Sequence, residues 1–77
     1  MVIVIARFRP HPERRDDLVA LLEEVQAASR RDDGCLHYGY YTEITDPLSF
    51  IAVEEWRDDD ALAAHQVAAS GPLPLPR

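Results

Sequence analysis

The chain has 77 residues, a hydrophobic fraction of 47% and a net charge of −6, with 14 acidic residues against 8 basic ones, all of them arginine. A single domain this short buries only about 60% of its unfolded surface, so association is expected. The acidic balance argues against a nucleic-acid or anionic-membrane surface, no apolar run is long enough for a membrane span or secretory signal, and the lone Cys35 excludes an internal disulfide framework and fits a reducing, cytoplasmic compartment.

In chain order, Met1 to Arg9 opens with the β-branched run Val2-Ile3-Val4-Ile5 and passes into alternation at Ala6-Arg7-Phe8-Arg9. This predicts a strand buried on both faces at first and half exposed later. Pro10 and Pro12 end it. Arg7, Arg9, His11, Arg14 and Arg15 form a local basic cluster, read as a solvated strand end and helix start. From Glu13 to about Arg31, Leu18, Leu21, Leu22, Val25 and Ala28 recur at helical spacing and predict one amphipathic helix. It should stop near Asp33-Gly34, where glycine suits a left-handed cap.

Cys35 to Ile44 alternates Leu36, Tyr38, Tyr40 and Thr42 against Cys35, His37, Gly39 and Tyr41, and its aromatic and β-branched content predicts a second strand. Cys35 and His37, two apart, should then share a face. Thr45-Asp46-Pro47 supplies turn chemistry, and Leu48 to Arg57 follows as the hairpin partner, with Phe50, Ala52, Glu54 and Trp56 on one face. Asp58 suits an N-cap, Asp59 and Asp60 suit the helix dipole, and Ala61 to Ala69 reads as a short helix ending at Ser70-Gly71. In Gly71 to Arg77 every second residue is proline, which predicts an extended or disordered tail.

Strand, helix, strand, strand, helix predicts an α+β, ferredoxin-like split βαββα(β) domain over residues 1–70 with an antiparallel sheet, its fourth strand missing or replaced by the tail at residues 71–77. Glu54 and Trp56 look the same way from the third strand, and the helix that follows runs back over the sheet with His65 about two turns in. A carboxylate, an indole and an imidazole can therefore converge. The same residues would equally serve as a core tryptophan, a cross-strand ion pair and a packing histidine.

The hydrophobic opening strand with Arg9-Pro10, Asp33-Gly34-Cys35-Leu36-x-Tyr38, Asp46-Pro47 in the hairpin, Glu54-x-Trp56 and Ala61-Leu62-x-x-His65 together resemble the antibiotic biosynthesis monooxygenase domains, small dimeric α+β barrels. Similar domains continue into a fourth strand where this chain has Gly71 to Arg77, so the expected homodimer pairs through the remaining sheets. The resemblance implies oxygenation of a phenolic, anthrone or quinol-type ring by dioxygen without metal, flavin or haem. It implies His65, Trp56 and Glu54 as catalytic residues and Tyr38, Tyr40 and Phe50 as substrate contacts. Haem degradation by a similar barrel requires an asparagine, and the chain contains none. The alternative is a non-enzymatic dimeric module of the same fold that binds a small molecule or accompanies stress.

Overall fold

A computed structural model describes residues 1–70, with side chains through Val67. The expected tail, Gly71 to Arg77, lies outside the described residues. The elements are β1 (Val2–Phe8), α1 (Arg15–Ser29), β2 (Cys35–Glu43), β3 (Asp46–Trp56) and α2 (Asp59–Ser70), with a 3-10 turn at Pro12–Arg14 leading into α1. All strand pairs are antiparallel and the order is β1-β3-β2. This is the expected α+β split βαββα arrangement.

Register fixes which residues share a face. Val2, Val4, Ala6 and Phe8 lie beside Trp56, Glu54, Ala52 and Phe50, and these beside Cys35, Tyr38, Tyr40 and Thr42. The helices cover this face. Its buried residues include Tyr38, Phe50, Ala52 and Trp56, joined by Ala61 from α2 and Ser29 from α1. The opposite face carries Ile3, Ile5, Ile51, Val53 and Tyr41, and among the described residues no helix lies over it. Ile3 and Ile5 are 54% and 63% exposed.

Two expectations about α1 change. Its inward stripe is Arg15, Leu18, Val19, Leu22, Val25, Gln26 and Ser29, the pattern of a helix turning about 100° per residue. Leu21 and Ala28 fall just outside that stripe and face solvent. Gly34 does have the left-handed φ of +83°, yet α1 has already ended at Ser29. The reason lies in packing: a Cβ on Gly34 would stand 2.5 Å from that of Ala61.

β2 is an outer strand, and α1 with its C-cap Arg30 serves its free backbone groups. Gln26 Oε1 accepts from the Tyr40 amide at 3.2 Å, and Arg30 Nε donates to the Tyr38 carbonyl at 2.8 Å. Unpaired strand groups are costly when water is excluded, so these side chains replace a missing neighbour. The hairpin turn is tighter than expected, with β3 beginning at Asp46, whose Oδ1 accepts from the Leu48 amide at 3.0 Å. Asp58 caps α2 as expected, its Oδ1 accepting from the Ala61 amide at 2.9 Å.

Candidate active site

A line of rings runs along the covered face because inward positions recur every second residue. Phe8 stacks on Phe50 at 5.5 Å, Tyr40 meets Phe8 edge-on at 6.1 Å, and Tyr38 meets Tyr40 edge-on at 5.6 Å. Tyr38 then meets Trp56 at 6.4 Å and His65 at 5.6 Å. All six residues expected at a site, His65, Trp56, Glu54, Tyr38, Tyr40 and Phe50, thus belong to one face and its covering helix. Trp56 is completely buried, and His65 packs directly against it, so the two rings touch and leave no empty pocket between them.

Polar groups on this line are paired. The Trp56 indole N–H donates to Glu54 Oε1 at 3.0 Å. That contact answers where Glu54 is directed: toward its own strand's tryptophan, with Arg7 on the other face of the sheet. The Tyr38 and Tyr40 hydroxyls hydrogen-bond at 3.1 Å. Burial, reinforced by that hydrogen bond, pushes the Tyr40 phenol well above its ordinary range, so it stays protonated at neutral pH.

His65 Nδ1 lies 2.7 Å from Asp32 Oδ2. Spacing in the sequence does not single out Asp32; the register that pairs Cys35 with Trp56 sets the residues just before β2 beside those just after β3. Asp32 and His65 line a hollow of about 260 Å³ with Asp33, Arg57, Asp60 and Ala64. A second cavity, of about 280 Å³, lies between α1 and the sheet and is lined by Arg15, Val19, Leu22, Gln26, Tyr40 and Phe50 among others. It approaches the roughly 300–1,000 Å³ of small-ligand sites. The Arg15 guanidinium sits 5.5 Å over the Phe50 ring and its Nε donates to the Pro47 carbonyl at 2.8 Å. Among the described residues, no three His, Cys, Asp or Glu side chains converge as metal ligands.

Cys35 and His37 do not share a face. The register shifts between them, so Cys35 faces the core cluster with Trp56 while His37 opposes Glu55 on the uncovered face. A bulge adds one residue and breaks strict alternation. Burial, then the charges of Asp32 and Glu54, push the Cys35 thiol up, which disfavours the thiolate. His37 Nε2 instead pairs with the Tyr41 hydroxyl at 2.8 Å, the Tyr41 ring lying over Gly39. In the basic cluster, Arg9 pairs with Asp46 and Arg14 with Asp17, the solvated arrangement expected.

A family model described as antibiotic biosynthesis monooxygenase matches residues 1–69. A provisionally named monooxygenase of Mycobacterium tuberculosis is 40% identical over 65 residues, covering 84% of this chain and 63% of that protein. An uncharacterized protein of Synechocystis is 30% identical over 64 residues, covering 83% of this chain and 44% of that protein. The chain therefore spans less than two thirds of either relative. A solved structure from Deinococcus radiodurans, provisionally named an antibiotic biosynthesis monooxygenase, matches with a TM-score of 0.83 at 30% identity, over 96% of this chain and 68% of that one.

Proposed function

The chain belongs to the antibiotic biosynthesis monooxygenase family, and from that premise we propose that it is a cofactor-independent monooxygenase acting on a phenolic, anthrone or quinol-type ring. An enolate or phenolate can pass an electron directly to dioxygen, so the protein has to bind a flat ring, take a proton and stabilise an oxyanion. With an anthrone, the methylene carbon loses both hydrogens and gains one oxygen atom as a carbonyl. The second oxygen atom leaves with those hydrogens as water.

The observation that carries this reading is the unbroken line of rings ending in an imidazole. Tyr40 and Phe50 line the cavity beside α1 and would receive the substrate ring. The Tyr40 hydroxyl, bonded to Tyr38 without substrate, would turn its proton from Tyr38 to the oxyanion. Tyr38, bonded to Tyr40 and packed on His65, stands between that cavity and the base, so a substrate whose proton His65 takes would extend past Tyr38 toward the hollow that His65 lines. Trp56 forms the wall behind His65, and Glu54 holds the indole in place through its N–H. The test is dioxygen uptake with an anthrone or menadiol. No uptake by the parent protein overturns the reading, and unchanged turnover in His65→Ala removes His65 from the mechanism.

A homodimer formed through the uncovered sheet face accompanies this proposal, supported by the exposure of Ile3 and Ile5 there. The single cysteine supports a cytoplasmic location. Among the described residues no helix is long and apolar enough to cross a membrane.

The complete burial of Trp56 favours a second reading, a non-enzymatic binding module in which the indole serves the core alone. A thermal-shift screen of aromatic ligands separates the two. Stabilisation without dioxygen consumption supports the module, since a ligand that binds only the folded state raises apparent stability.

A further inference from the structure

We propose that Asp32 is a positioning residue for His65, holding the imidazole as the tautomer protonated at Nδ1 and thereby reserving the Nε2 lone pair for the substrate's proton. The inference rests on the reading of His65 as the base, and deepens it.

The pair joins residues 33 positions apart at 2.7 Å. The imidazole is the more enclosed partner, its side chain 10% exposed against 38% for Asp32. Trp56 and Tyr38 cover the ring at 4.5 and 5.6 Å, so its orientation is set by packing on its faces and by Asp32 at its edge. An ionised carboxylate has no proton to give. In the neutral ring the hydrogen must therefore sit on Nδ1, and Nε2 is left as the acceptor. When Nε2 takes the hydroxyl or methylene proton of a substrate, the electron pair stays on the substrate and the new imidazolium faces a carboxylate already in place.

Asp32 is itself fixed. Its amide donates to the Ser29 carbonyl at 3.0 Å and its carbonyl accepts from the Cys35 amide at 3.1 Å, tying it to the end of α1 and the start of β2. The Arg57 amide donates to the Gly34 carbonyl at 2.8 Å, which anchors the same loop to the end of β3. The Arg57 guanidinium is engaged with Asp33 and Asp58. Asp33 and Asp58 thus share that cation, and Asp32 is left to the imidazole. A pair that merely clipped this loop to α2 would hold the fold together and impose nothing on proton transfer.

The test uses nitrogen-15 spectra of the imidazoles in the full chain, recorded without substrate at a pH where they are neutral, with His65 assigned by its loss in His65→Ala. The expected result is the Nδ1–H form in the parent protein. In Asp32→Asn the population should move toward Nε2–H, because an amide can donate to Nδ1. With an anthrone as substrate, Asp32→Asn should lower kcat by about tenfold to a hundredfold at little change in KM, and Asp32→Glu should recover part of it. A parent His65 protonated at Nε2, or a folded Asp32→Asn with parental kcat, overturns the proposal. If the parent consumes no dioxygen, the reading of the protein as an oxygenase fails, while the spectra still decide the role of Asp32.

Discussion

The indole of Trp56 and the imidazole of His65 lie 4.5 Å apart, ring centre to ring centre, with their planes inclined by 34°. A strand end and the middle of a helix are thereby locked at one point. Replacing Trp56 with Ala should cost about 3–5 kcal/mol, as large-to-small changes at fully buried aromatics do, and lower Tm by roughly 10 °C or more. Trp56→Phe keeps most of the volume but strips Glu54 of its donor, and should cost about 1–3 kcal/mol. Urea unfolding of both variants checks the order.

Glycines at two positions make opposite predictions. At Gly34 the left-handed φ and the fixed Ala61 Cβ leave an alanine no way to relax, so Gly34→Ala should destabilise by roughly 1–3 kcal/mol. At Gly39 the obstacle is the Tyr41 ring, at 2.7 Å from its hydroxyl, and that side chain is half exposed and can swing away. Gly39→Ala should therefore leave Tm nearly unchanged while separating His37 from Tyr41. Equal losses at the two sites would contradict this account.

Acid sensitivity should trace to one helix cap and one turn. The Asp58 carboxyl is lowered first by the Ala61 amide and then by Arg57, and that of Asp46 first by Arg9 and then by the Leu48 amide. A folded value below the ordinary 3.8 means these groups stabilise fully above it and lose that contribution as pH falls through their lower folded values. Asp58→Asn, which can still cap α2, should flatten the acid limb of the stability curve below that range, and added salt should shrink the difference because both groups are exposed. Thermal unfolding across an acid pH series is the measurement.

The uncovered sheet face makes the assembly testable. Ile5→Glu places a charge in its middle, and should convert a two-chain sedimentation mass into a one-chain mass at micromolar concentration without unfolding the domain. A one-chain mass for the parent protein would end the dimer proposal.

Much of this architecture was legible because inward positions follow simple periods. Alternation placed Tyr38, Tyr40, Phe50, Glu54 and Trp56 on one face, and Asp58 marked the start of α2 through its chemistry as a cap. The bulge near Cys35 was not legible, since a one-residue irregularity leaves composition untouched and shows only in pairing. Leu21 misled because leucine suits a helix whether or not it faces the core. Asp32 escaped because its link to His65 spans the whole hairpin, and only the register of β2 against β3 brings the two together.

The Gln26 and Arg30 contacts to β2 give the sheet a growing end and a stopped end. A strand arriving beside Tyr38 and Tyr40 would find those backbone groups taken and would have to evict the Gln26 and Arg30 side chains. At β1 no described strand stands in the way. Any extension of this sheet, whether by more of a longer polypeptide or by a visiting molecule, is therefore steered to the Val2–Phe8 side.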